Sequence, residues 1–277
     1  MSEHGLNDMV GFTLVTANLP RLVGFYHDVL GFAVHGPVSS IDDGEMALLG
    51  LSGAGKRQTL SLGEQTLCID QFEHAGRPYP AQEDAASLSF QHLALVVTDI
   101  HCACNRLRGI TAISQGGPQQ LPASSGGVQA FKFRDPELHP LEFLQFPEGL
   151  APDAWRNRRG LDGQVGLGID HSAISVSDAG ASTAFYQALG LSIGNRTLNA
   201  GLAQQRLDGL GTVEVSVVPM MPSEATPHLE LLCYHMPKGH TGPARRANDV
   251  AATRIVWRGR KARLISDPDG HLQQVQT

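Results

Sequence analysis

The sequence predicts an α+β fold assembled from four copies of one small unit, and three observations carry that reading. A strand, a helix cap and an amphipathic helix recur in that order along the chain. The stretch after each helix breaks into short apolar runs punctuated by Gly, Pro, Ser and Asp, the mark of antiparallel strands. The units also close alike, with matching turns at Asp135-Pro136-Glu137-Leu138-His139 and Asp267-Pro268-Asp269-Gly270-His271. At 277 residues the chain exceeds the usual domain of about 100 to 200 residues, in keeping with a repeated unit.

The first copy lies in Phe12 to Phe32: a strand, Asn18 as cap, and a helix with Leu22, Phe25, Tyr26, Val29 and Leu30 on one face, closed by Gly31. The second runs from His92 to Gly109, with a strand to Val97, Asp99 as cap, and a short helix lined by Ile100, Ala103, Cys104 and Leu107. The third runs from Gly168 to Gly190. Alternate strand residues face opposite ways, so His171, Ala173 and Ser175 share one side and Ser172, Ile174 and Val176 the other. Asp178 caps a helix whose Ala181, Ala184, Phe185, Ala188 and Leu189 recur at helical spacing. That helix is expected on the Ile174 side, leaving His171 on the open face of a sheet. A curtailed fourth unit has a strand around Thr253 to Trp257 and then Arg263 to Gln274, without room for a helix. Each full unit therefore reads βαβββ. Linkers rich in Pro, Gly or charge fall at 73–89, 147–164 and 236–248, and the expected division is 8–146, linker 147–164, and 165–277.

Composition narrows the function. The chain is 42% hydrophobic and 17% charged, as a globular protein is, and a net charge of −6 disfavours nucleic acid as a partner. No secretory signal is visible at Met1 to Gly5, and no apolar run approaches the roughly 20 residues of a membrane span, so a cytoplasmic protein, monomer or homodimer, is expected. Cys68, Cys102, Cys104 and Cys233 form no zinc-ribbon pattern and are expected as reduced thiols. No phosphate loop, nucleotide fingerprint or Ser-His-Asp order is present.

Five motifs then point to a family: FYHDVLGF at 25–32, QHLALVVTD at 91–99, DPELHPLEF at 135–143, DHSAISVSD at 170–178 and DPDGHL at 267–272. They resemble the vicinal oxygen chelate superfamily, which includes glyoxalase I, bleomycin-resistance proteins and extradiol dioxygenases, and they span nearly the whole chain. The resemblance implies modules paired into two cup-shaped sheets, with a metal ligand on the first and last strand of each module. Carried over residue by residue, it implies His92 and Glu142 from module two and His171 and Glu230 from module three as metal ligands, the two glutamates doubling as catalytic groups. Module one has Gly11 at the first-strand position, seven residues before its cap, and Cys68 near the last-strand position; module four has Gln274 where a Glu is expected. Two pairings stay open. Modules two and three together would give one cup with two His and two Glu, and the concentration of intact ligands favours it; modules three and four would give His171, Glu230 and Gln274.

The residues also speak for themselves. Imidazole and carboxylate suit one divalent ion among Zn, Mn, Fe, Co and Ni, whereas calcium takes more oxygens and a thiol-selective metal takes cysteine. Glu142 lies between Leu141 and Phe143, and Glu230 between Leu229 and Leu231. A carboxylate in so apolar a strand is costly unless paired or bound to a cation. The competing explanation gives each Glu an arginine, such as Arg134 or Arg206, and makes the two histidines hydrogen-bonded core residues. His228, two residues before Glu230, shares its strand face and is a candidate to support the metal or move a proton. Asn199, Gln204 and Arg206 are candidates to touch a substrate, or else belong to a turn leading into a strand. His139 and His271 are expected to serve their turns, and Trp155, Arg156, Arg158 and Arg159 to form a solvated linker surface. For a small-molecule substrate, three functions compete: a metal-dependent isomerase or lyase working through an enediolate or enolate, an extradiol dioxygenase, and a metal-free binding or resistance protein.

Overall fold

The computed structural model describes residues 6, 8–158, 165–223, 227–242 and 244–277; Arg159 and the first five residues lie outside them. Module one contains β1 (Met9–Val15), α1 (Leu19–Gly24) continued by a wider helical turn at Phe25–Val29, β2 (Ala33–Ser40), α2 (Asp43–Leu48), β3 (Gly55–Leu62) and β4 (Gln65–Phe72). Module two contains β5 (Gln91–Val97), α3 (Ile100–Asn105), β6 (Gln119–Gln120), β7 (Gln129–Arg134) and β8 (Pro140–Gln145), and α4 (Asp153–Arg156) follows in the linker. Module three contains β9 (Gly166–Ser175), α5 (Ala179–Ala188), β10 (Ser192–Ile193), β11 (Thr197–Ala200), α6 (Leu202–Asp208), β12 (Glu214–Met221) and β13 (His228–Met236). Module four is β14 (Arg254–Arg258), β15 (Arg263–Ser266) and β16 (Leu272–Gln276), without a helix. Among the described residues, no helix is long and apolar enough to cross a membrane.

In every module the first strand runs parallel to the last, and modules join through antiparallel first strands, β5 with β9 and β1 with β14. Two sheets result: an inner one of nine strands from modules two and three, and an outer one of seven from modules one and four. The linker at 147–164 therefore joins two halves of one sheet, because β5 and β9 bond directly across it. One apolar core draws on both sheets and on α1, α3 and α5. Within the inner sheet, Leu93, Leu141, Phe143, Ile174, Leu229 and Leu231 belong to that core, and the residues alternating with them face the other way.

The three expected caps form. Asn18 accepts from the Arg21 N–H, Asp99 from His101 and Cys102, and Asp178 from Gly180 and Ala181. Helix α5 is turned about one residue from expectation. Ser182, Thr183 and Tyr186 are its buried positions, while Ala181, Ala184 and Ala188 are exposed. The Tyr186 hydroxyl fixes that rotation by donating to Asp267 at 3.0 Å and accepting from Gln273. The Asp-Pro turns are structural as expected: His139 bonds Asp135 and the Val250 carbonyl, and His271 bonds the Ser175 carbonyl. Gly201 leads into α6 rather than a strand, since Leu207 finds an apolar pocket with Leu121, Val128, Ala130 and Leu144.

Candidate metal centre

The concave side of the inner sheet encloses a cavity of about 700 Å³. His92 on β5, Glu142 on β8, His171 on β9 and Glu230 on β13 all line it. Register brings them together. On β5, Ala94 stands between His171 and Glu142, and on β9, Ala173 stands between His92 and Glu230, so two small residues leave room for four long ones. The His92 and His171 ring centres are 5.7 Å apart.

His92 Nε2 lies 3.0 Å from Glu142 Oε2, and His171 Nε2 lies 3.6 Å from Glu230 Oε2. Neither ring nitrogen of buried His92 has a hydrogen-bond partner, so its contact with Glu142 has the distance of a hydrogen bond but not the alignment. Two donor atoms each about 2.1 Å from one cation are about 3.0 Å apart at a right angle and about 3.4 Å apart at the tetrahedral angle. The buried, unpartnered imidazole and this donor set fit a divalent ion.

The two sides of the cup differ. Beside Glu142, Lys132 on β7 reaches 3.8 Å from Oε2 and 2.7 Å from Asp208 Oδ1. Asp208 also accepts from Gln204 at 2.8 Å and Tyr234 at 3.0 Å. Burial works against the Lys132 ammonium, but Asp208 and Glu142 outweigh it and raise its pKa. For Glu142, burial raises the pKa, and Lys132 and His92 bring it below the usual value. For His92, burial and then Lys132 lower it, leaving a neutral imidazole ready to ligate.

On the other side, Asp170 shares the cup with its neighbour His171 although alternation should turn it away. The cause is a register shift: Ala94 pairs with His171 and Leu95 with Ile169, leaving Asp170 as an extra residue in the strand. Asp170 Oδ2 is 3.0 Å from His171 Nδ1 and 3.8 Å from His228 Nδ1, and His228 Nε2 is 3.6 Å from Glu230 Oε1. One carboxylate thus backs two imidazoles whose other nitrogens face Glu230. Burial lowers the His171 pKa, but Glu230 and Asp170 prevail and carry it up to about 9. Burial likewise raises Glu230, and His171 and His228 bring it down to about 2.

Of the linker residues expected on a solvated surface, Arg156 is exposed, but Trp155 turns into this cup, and Arg159 lies outside the described residues. Trp155 is 3% exposed, lines the cavity, and donates from Nε1 to Asp170 Oδ1 at 2.5 Å. Gly168 makes room for it, since a Cβ there would come 2.7 Å from the indole. Arg158 covers the ring and pairs with Glu64 of module one.

Of the remaining candidates, His228, Asn199 and Gln204 line the cavity. Asn199 accepts from Ser125 across the rim, and Gln204 keeps an unpartnered carbonyl oxygen. Arg206 is exposed on α6 and does not line it. Gln274 lies in the outer sheet and donates to Glu45 at 2.6 Å. There Arg57 binds Glu45 and Asp70, each at 2.7 Å, and buried Arg254 also reaches Asp70. Guanidinium groups thus neutralise the outer cup's carboxylates. Gly11 has no room for a ligand, as a Cβ would sit 2.6 Å from the Thr66 carbonyl oxygen. Lys132, Asp170, Asp208 and Tyr234 escaped the sequence reading. Lys132 had a signal, a lysine between Phe131 and Phe133 in an apolar strand.

A family model described as Glyoxalase/Bleomycin resistance protein/Dioxygenase superfamily matches residues 8–143. Among solved structures, glyoxalase I from Zea mays superposes with a TM-score of 0.60 at 14% identity, covering 97% of this chain and 92% of that one. A putative dioxygenase from Bacillus subtilis gives 0.56 at 12% identity, covering 98% and 85%. These likenesses establish the fold. No curated protein matches the chain.

Proposed function

We propose, from the match of residues 8–143 to the Glyoxalase/Bleomycin resistance protein/Dioxygenase superfamily model, that the chain is a metal-dependent enzyme of isomerase or lyase type acting on a small molecule with two neighbouring oxygens. The convergence of His92, Glu142, His171 and Glu230 in one buried cup carries this reading. A divalent ion held by these residues would supply Lewis-acid chemistry for the loss of a proton from a carbon beside an oxygen.

The chain does the rest. His92 and His171 would hold the ion, with Asp170 fixing the His171 ring from behind. Glu142 is pinned between His92 and Lys132. Glu230, 3.6 Å from each of two imidazoles, is the freer carboxylate, and its Oε2 takes the substrate proton and returns it to the adjacent carbon. A dioxygenase needs two histidines with a single carboxylate, so the second carboxylate favours proton transfer.

Metal content of dialysed wild type, His92→Ala and His171→Ala, read by plasma emission, tests the site. Each substitution should deplete the same single ion. Loss in only one variant would separate the two histidines and sink the shared site, and oxygen uptake with catechols would replace the isomerase reading with ring cleavage.

A further inference from the structure

The outer cup holds a cavity of its own, of about 530 Å³. Strand alternation gives it an apolar wall. Phe72 shares a face of β4 with Asp70, Leu272 shares a face of β16 with Gln274, and Leu264 on β15 pairs with Gln274. These three line the cavity with Leu49 and Leu51, which follow α2, and all five belong to one apolar cluster. Two loops, Gly50 to Ser52 and Arg245 to Asn248, complete the rim.

Charge at that rim has one sign. Arg245, Arg246 and His74 line the cavity, and among the described residues no Asp or Glu does. Arg245 donates to the Ser89 and Ala251 carbonyls and meets His271 Nδ1 at 3.3 Å, all uncharged acceptors. Among the described residues, neither an ion pair nor a hydrogen bond engages the Arg246 guanidinium. Asp249, three residues on, is held by Arg77 at 2.6 Å. On the cup's floor, Arg57 and Arg254 already match Glu45 and Asp70. Asn248 keeps its Oδ1 buried and gives its amide to the His74 carbonyl at 2.9 Å, so it shapes the wall.

We infer that this cavity is a second binding site, for a small amphipathic monoanion: a carboxylate carried on an apolar body. The planar guanidinium of Arg246 offers the paired donors that a carboxylate takes, and a single uncommitted cation suits a single negative charge. The leucines and Phe72 receive the body, and the volume is that of a small-molecule pocket. The inner cup gathers imidazoles and carboxylates suited to a cation, whereas this one presents arginine to an anion.

Octanoate and octanamide share one apolar chain and differ in charge, and acetate has the charge without the chain. Calorimetry on the full chain, in buffer with a chelator so that no metal attracts the carboxylate, compares the three. Octanoate should bind one to one, and octanamide and acetate each at least about tenfold more weakly. Arg246→Gln should bring octanoate down to the level of the amide, and Ser52→Trp should abolish binding by filling the entrance. Both side chains are exposed, so both variants should melt with the wild type. Octanamide or acetate binding as tightly as octanoate would overturn the inference, and so would octanoate binding that survives both substitutions.

Discussion

Asp170 is the residue through which most of the cup's geometry passes. It holds His171 by one oxygen and Trp155 by the other, and it faces His228. Carboxylates behind ligating histidines typically govern metal affinity by about 10- to 100-fold, so Asp170→Asn should weaken binding to that extent while the melting temperature changes little. Chelator competition beside a thermal melt checks both halves. His171 adds a pH dependence. Its pKa of about 9 means that below this pH an incoming ion must expel a proton. Apparent metal affinity should therefore fall about tenfold for each pH unit below about 9, and a flat profile between neutrality and that point would contradict it. His171 was legible from spacing, but Asp170 was not. Strand alternation assigns neighbours to opposite faces, and only the partner strand decides where an extra residue is inserted.

At the scale of elements, β7 and α6 are tied by Lys132 and Asp208, both buried. Removing one partner of such a pair leaves a charge without compensation. Lys132→Met should cost about 3–5 kcal/mol in urea unfolding, and a Lys132→Met, Asp208→Leu double variant should recover much of it. A single variant as stable as wild type would show that the pair does not hold the two elements together. The helices of modules one and two were legible in their inward faces, because Leu22, Phe25 and Ile100 follow the apolar period. In α5 the same period pointed at alanines, and the actual inward face is set by polar contacts from Tyr186 to Asp267 and Gln273. A hydrophobic pattern cannot register that. Helix α6 was hidden for a related reason: its first turn follows a glycine and carries Gln204, whose partner Asp208 lies one turn ahead.

At the scale of the molecule, the four residues expected as ligands all line the inner cup, and Gln274 lies apart from them in the outer sheet. Gln274→Ala should leave metal affinity nearly unchanged, whereas Glu230→Ala should abolish tight binding, since Gln274 sits with Glu45 and Arg57 in the other sheet. An equal loss in both variants would contradict the two-with-three centre. The pairing of sheets was only half legible, because either arrangement satisfies the same module sequence and the choice is made by antiparallel contact between first strands. That contact is nested like brackets: His92 pairs with Ala173, and only outside them does Phe12 pair with Ile255. The outer bracket must bring together segments from opposite ends of the chain, at a greater loop-closure cost. Assembly then has a direction. The inner sheet can be complete while β1 still awaits β14, and the two tryptophans stand on either side of that interval, Trp155 over the inner cup and Trp257 in the outer sheet. In refolding followed with single-tryptophan variants, the Trp155 signal should settle before that of Trp257.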